Sequence, residues 1–240
     1  MNFFKRLSSK FNHVVVENKK ILTDEEYYTQ LFTKDPEWNN TNPNGEERDR
    51  WQIIEQFIFY IKGVFSKDEG KTFEILDLGC GRGWLTNLLS GYGTVTGIEP
   101  IKPVVEYAKK IYPKLNLMNG TSKDLLEKNL QGKFDIVVSS EVIEHIPDQN
   151  KPTFISDIKS LLKDNGYVII TTPRKEAEDE WEKYCSPDQP IEEWITELQL
   201  KSIFESQGFK VKLFKRLAAK PMATAPEIEL YQLCLFQKIQ

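Results

Sequence analysis

Cysteine is scarce in this 240-residue chain: Cys80, Cys185 and Cys234 lie far apart, and no CxxC pair occurs. An odd, scattered set excludes a disulfide framework and a cysteine-ligated zinc site, and it fits a reducing compartment. Histidine is scarcer still, with only His13 and His145. Long apolar runs are missing. Nothing approaches the roughly 18 apolar residues of a membrane span. The N-terminal stretch MNFFKRLSSKFNHVVVENKK is basic, but its longest apolar run is three residues, too short for a signal-peptide core. These absences predict a cytoplasmic protein with no transmembrane segment. A basic excess is lacking too: 32 Lys and Arg face 36 Asp and Glu, for a net charge of −4. That balance counts against a nucleic-acid partner. No repeat or low-complexity tract stands out.

What is present is the make-up of an ordinary globule, 40% hydrophobic and 28% charged. Residues 1–50 are polar with scattered aromatics, and DPEWNNTNPNGEERDR reads as loop. Phe3, Leu7 and Phe11 recur at helical spacing among Lys5, Arg6 and Lys10. We read them as a lid helix over a site, with a membrane-surface helix as the alternative. RWQIIEQFIFYIKGVF, at 50–65, carries helical periodicity.

From Phe73 the texture changes. Strands are predicted at 73–78, 94–98, 115–118, 134–139 and 166–171, with helices near 84–90, 103–111, 122–128 and 152–163. Short β-rich runs separated by helices imply a parallel sheet covered on both faces. A helix at 197–206 and strands at 209–215 and 229–237 follow, the last two close enough to form an antiparallel hairpin. The expected fold is thus α/β: a doubly wound, Rossmann-like, mostly parallel seven-stranded sheet ending in an antiparallel hairpin. The expected organisation is an N-terminal helical lid at 1–65 and a domain at 66–240 with a lid-like insertion at 173–196.

The turn after the first strand reads ILDLGCGRGW, with Gly79, Gly81 and Gly83 at alternate positions. Such a loop lets a ligand approach the backbone. Two details separate a pyrophosphate from a cationic ligand. A dinucleotide fingerprint wants glycine at position 84, where Trp84 stands. Asp77, beside the loop, repels a pyrophosphate and attracts a sulfonium or ammonium. Glu99, ending VTGIEP, can accept ribose hydroxyls in either class.

EILDLGCGRGW, VTGIEP, MNGTSKDL, KFDIVVSSEVIEHI and LLKDNGYVIITTP occur in that order. Together they resemble the class I S-adenosylmethionine-dependent methyltransferases, above all the branch with the ubiquinone-biosynthesis O-methyltransferases. The likeness spans about residues 73–173. It implies S-adenosylmethionine as cofactor and S-adenosylhomocysteine as product. It implies that Asp77, Gly79 and Gly81 contact the methionine end, Glu99 the ribose, and Thr121 and Ser122 the adenine. Thr121 stands where the family often has an acid. Ser140 and Glu141 are expected to close over the cofactor.

The predicted function is methyl transfer to a hydroxyl of a small molecule, sugar or natural product. An amine acceptor and a nucleoside-binding module without transferase activity are the alternatives. His145, in SSEVIEHIPD, is the candidate general base, its ordinary pKa suiting proton abstraction near neutrality. The alternative is a packing histidine held by Glu144 or Glu141. Glu141, Glu144 and His145 could also share a helical face and hold a hard divalent ion; no metal is assigned. Trp181, Tyr184 and Trp194 in the insertion could wall an acceptor pocket or merely staple the segment down. Arg174 could bind an anionic acceptor, with a solvated surface charge as the plainer reading. Arg48, Arg50 and Trp51 precede a helix that could cap the cofactor, with ion pairing to Glu46 and Glu47 as the alternative.

Overall fold

Alternation along the strands decides which side of the sheet each residue serves. On strand β1 (Phe73–Leu78), Phe73 and Ile75 enter one apolar cluster and Leu76 and Leu78 the other. On β4 (Phe134–Ser140), Ile136 and Val138 part from Val137 in the same way. Both faces are therefore buried, as expected of strands in a doubly wound sheet. The structure is a computed structural model and describes residues 22–65, 70, 72–185 and 189–239. The possible lid or membrane helix at residues 1–16 lies outside the described residues.

Among the described residues, two helices precede the sheet. Helix α1 (Asp24–Lys34) starts at a capping box between Thr23 and Glu26 and has no buried residue. Helix α2 (Gly45–Val64) starts at a second box between Asn44 and Glu47. Its buried stripe, Arg50, Ile54, Phe57, Ile58 and Ile61, follows the helical period and faces the sheet. Then come α3 (Trp84–Leu89), β2 (Gly93–Glu99), α4 (Lys102–Ile111), β3 (Asn116–Asn119), α5 (Ser122–Glu127), β4 and α6 (Lys151–Leu161). After β5 (Leu162–Pro173) follow the short α7 (Glu178–Trp181), α8 (Glu197–Ser206), β6 (Phe209–Ala219) and β7 (Ile228–Lys238).

The seven strands run in the order β3-β2-β1-β4-β5-β7-β6. The first five are parallel, and β7 pairs antiparallel with both β5 and β6. This is the expected α/β architecture with its terminal hairpin. The order reverses at β1 and β4, so their carboxyl ends flank the crevice where ligands of such sheets bind. Three extents differ most from the reading of the sequence. Helix α2 begins at Gly45, five residues before the expected 50, because the Asn44–Glu47 capping box starts it inside the stretch read as loop. Strand β5 begins at Leu162, four residues before the expected 166, because the 162–165 turn pairs irregularly against Phe134. Strand β6 runs on to Ala219, held by β7 through a second irregularity near Leu217.

Candidate active site

At the carboxyl ends of β1, β2 and β4 lies a cavity of about 390 Å³, within the range of small-ligand sites. The glycine loop forms one wall. Gly79, Gly81 and Gly83 all have positive φ. A Cβ on Gly79 would stand 2.4 Å from Val142 Cγ2, and one on Gly81 would stand 3.3 Å from the Phe32 ring. The loop therefore needs glycine both for its backbone path and for the close approach of its neighbours.

Beneath the loop, Asp77 is buried and accepts a 2.6 Å hydrogen bond from Thr86 Oγ1 in α3. It lies behind the glycines and is not part of the cavity wall. Burial pushes its carboxyl up to about 7. Glu99 does line the cavity, and it accepts from the backbone N–H groups of Gly81 (3.2 Å) and Ile101 (2.9 Å). Burial raises it likewise to about 7. A carboxylate has lone pairs left after two such bonds, so Glu99 can still accept ribose hydroxyls. Thr121 and Ser122 sit at the start of α5, outside the cavity wall. Thr121 is exposed and tied to Asp124, and the buried Ser122 donates to Asp157 at 2.8 Å.

The far end of the cavity is built by the turn after β4. Glu141 adopts a left-handed backbone, φ 56°, and its N–H donates to the Thr171 carbonyl at 2.9 Å. Thr171 Oγ1 donates to the Glu141 carboxylate at 2.7 Å, and so must accept from Ser140 at 2.8 Å. Residues Ile143–His145 form a 3-10 turn. Glu141, Glu144 and His145 therefore do not share an α-helical face, as the metal alternative required. Among the described residues, no group of three or more His, Cys, Asp or Glu is arranged to hold a metal ion.

His145 Nδ1 lies 2.8 Å from the Ile191 carbonyl. A carbonyl only accepts, so Nδ1 carries the proton and Nε2 keeps its lone pair. Burial lowers the imidazole pKa, favouring the neutral ring. Glu144 accepts from Thr172 Oγ1 at 3.0 Å, and its Oε1 lies 3.9 Å from His145 Nε2. Burial, reinforced by Glu141 and Glu192, holds the Glu144 carboxyl well above the usual range. Glu192, from the insertion, accepts from Trp194 Nε1, and burial raises it to about 7.

Several residues singled out in the sequence take definite places. Trp181 and Trp194 are buried in the cavity wall, whereas Tyr184 packs against the core outside it. Arg174 is buried rather than solvated: its Nη1 donates to the Glu229 carbonyl at 2.7 Å, and its Nε lies 2.5 Å from Glu197. Arg48 is exposed, and Trp51 packs beside Tyr92. Arg50 is buried in the cavity wall with Glu46 at 4.0 Å, but Glu47 pairs with Arg82 instead. The aromatic roof from α1, with Tyr27, Tyr28 and Phe32, was missed, although the Thr23-x-x-Glu26 capping box was its sequence signal. Glu192 and Tyr231 were missed as well, and no local pattern marks them.

Among the described residues, six acidic side chains line this cavity (Asp24, Glu46, Glu99, Glu141, Glu144 and Glu192) against one guanidinium, Arg50. A bound cation draws the raised acids among them into their charged form and a pyrophosphate does the reverse, so the wall favours a ligand with positive charge. With the open glycine loop and Glu99, these residues fit a nucleoside bearing a sulfonium.

Residues 40–213 match the family described as a methyltransferase domain. The chain belongs to this family. The chain is 30% identical over 177 residues to the mitochondrial ubiquinone biosynthesis O-methyltransferase of Bos taurus, covering 62% of this chain and 45% of that protein. Its identity to the ubiquinone biosynthesis O-methyltransferase of Pelagibacter ubique is 28% over 184 residues, covering 63% and 75%. The chain spans about half the length of several curated relatives it matches. Among solved structures, a Pyrococcus horikoshii protein superposes with a TM-score of 0.65 at 18% identity, over 89% of this chain and 98% of that one. The magnesium protoporphyrin IX methyltransferase of Synechocystis, with bound S-adenosylmethionine, gives 0.59 at 17% identity, over 91% and 99%. The chain thus shares the fold of these two proteins.

Proposed function

We propose that this chain transfers a methyl group from S-adenosylmethionine to a hydroxyl of a small molecule. The observation that carries the proposal is His145, held at the cavity wall with its proton on Nδ1 and its Nε2 free to act as base. When bound, S-adenosylmethionine supplies an electrophilic methyl carbon on sulfur. Glu99 would hold the ribose, Gly79 and Gly81 would admit the methionine portion, and the ring of acids would favour its positive charge. Ser140 and Glu141 brace the turn that carries the cavity's far wall. Thr121 and Ser122 would border the adenine end only through the start of α5. Asp77 acts from behind the loop, fixing it through Thr86.

With S-adenosylmethionine bound, His145 Nε2 would take the acceptor's hydroxyl proton while the methyl group passes from sulfur to that oxygen. The Ile191 carbonyl keeps the ring in the tautomer this requires. Trp181 and Trp194 exclude water from that end of the cavity. The name of the bovine relative includes O-methyltransferase, which supports an oxygen acceptor. The acidic wall argues against nucleic acid as acceptor. Three buried free cysteines support a cytoplasmic location. Among the described residues no helix is long and apolar enough to cross a membrane.

Two measurements test this. Calorimetry should show S-adenosylhomocysteine binding where NADH gives no heat. Labelled methyl from S-adenosylmethionine should then appear on members of a panel of hydroxyl compounds. Label on amines alone, or NADH binding in preference, overturns the proposal.

A further inference from the structure

A second hollow opens beside the cavity: a groove of about 690 Å³ between the 36–49 segment and the 217–231 end of the β6–β7 hairpin. The two share Trp38, Glu46 and Tyr231 in their walls, so these three residues form a neck between them. Among the described residues the groove is acidic, with Glu37, Glu46, Asp49 and Glu227 against Lys220, which itself lies 3.6 Å from Glu227. Asp49 is exposed and forms no ion pair with a described residue. Trp38 and Tyr231 add aromatic faces, which attract cations.

On the cavity side of the neck stands Arg50, only 4% exposed. Its guanidinium lies 4.8 Å over the Tyr231 ring, with Glu46 and Glu141 each at 4.0 Å, too far for a hydrogen bond. Its Nε has no hydrogen-bond partner. A buried, unused N–H donor is costly, and the guanidinium that carries it lines the cavity. Its positive charge is already offset by the two flanking carboxylates. The neck therefore offers a donor to an oxygen on the inside, and carboxylates and ring faces to a cation on the outside.

We propose that the groove is the outer half of the acceptor site, and that the acceptor is a hydroxylated ring carrying a protonated amine. The hydroxyl end enters the cavity, where the Arg50 guanidinium donates to an acceptor oxygen. The ammonium stays in the groove beside Asp49 and its acidic neighbours. This rests on the O-methyl-transfer reading above and narrows its substrate class. The chemistry is consistent: a protonated amine has no lone pair to take a methyl. The oxygen therefore forms the new C–O bond, the C–S bond breaks, and the hydroxyl proton goes to His145. An anionic acceptor is repelled by the groove, and a long isoprenoid tail meets carboxylates where it needs apolar wall.

The test uses the full chain saturated with S-adenosylhomocysteine, titrated with three catechols that differ in charge: dopamine, 4-methylcatechol and 3,4-dihydroxyphenylacetate. Dopamine should bind best and the anion worst, with the spread narrowing as salt rises. Asp49→Asn should weaken dopamine by about two- to five-fold and leave 4-methylcatechol unchanged. Glu205→Gln, an exposed charge on α8 that lines neither hollow, should change neither. Equal affinities, the reverse order, no catechol binding, or identical effects of the two substitutions overturn the proposal while cofactor binding stands. Failure of wild-type protein to bind S-adenosylhomocysteine overturns both this proposal and the reading beneath it.

Discussion

His145 and Gly79 show how much a single side chain, or its lack, decides in this site. Replacing His145 with Gln removes the basic nitrogen and keeps a polar group near the Ile191 carbonyl. The expected result is a loss of about 10²–10⁴-fold in kcat, with S-adenosylhomocysteine affinity unchanged by calorimetry. Equal losses in both would mean the ring only packs. Gly79→Ala forces a Cβ to within 2.4 Å of Val142 at a φ of +81°. Chemical denaturation should show a loss of about 1–2 kcal/mol from the backbone strain alone, and cofactor affinity should fall with it. That Gly79, Gly81, Glu99 and His145 meet at one cavity was legible in the sequence, because each lies at or shortly after a strand end. Glu192 and Tyr231 were not. They reach the cavity from the insertion and from β7, and only the folded chain brings them there.

At the scale of elements, α2 and the segment before it are fastened to the glycine loop through a buried side chain. Arg82, within the glycine loop and fully buried, makes two 2.6 Å contacts with Glu47 of α2. It also donates to the carbonyls of Asn40 (2.6 Å) and Asn42 (3.4 Å). Tyr107 Oη and Tyr112 Oη bind the neighbouring carbonyls of Asn39 and Thr41. The 39–47 segment is thus held by its backbone, which explains how a stretch rich in Asn and Pro takes a fixed path. Arg82→Met leaves the Glu47 carboxylate buried without its partner. Urea titration should show about 3–5 kcal/mol lost, and the double variant Arg82→Met, Glu47→Leu should recover much of it. A double variant no more stable than the single one would show that Arg82 acts by packing alone. Sequence periodicity found α2 but not α1. Helix α1 buries nothing, so it lacks the apolar stripe that periodicity detects, and its rings face a cavity instead of a core.

For the whole molecule, buried acids set the response to pH. Asp77 and Glu99 titrate near 3.8 and 4.5 when unperturbed, but at about 7 in the folded chain. Between those values the folded state binds more protons than the unfolded one, so their contribution is full below pH 4 and is lost as pH rises through 7. Asp77→Asn removes one such group while keeping an oxygen for Thr86. Its melting temperature relative to wild type should therefore rise from pH 5 to pH 8; a constant difference would show that Asp77 is not held protonated. At this scale the sheet was read well, since seven short β-rich runs and their helical spacers leave few arrangements. The neck between cavity and groove was not, because it joins residues from opposite ends of the chain.

The position of β7 has one more consequence. Strand β7, the last of the sheet in chain order, fills an interior slot, between β5 and β6. A nascent chain that has not reached residue 228 leaves the edge of β5 bare and β6 without its sheet partner. Synthesis arrested there leaves a template for pairing with other chains, so a stop codon just upstream of β7 should yield inclusion bodies rather than a trimmed enzyme.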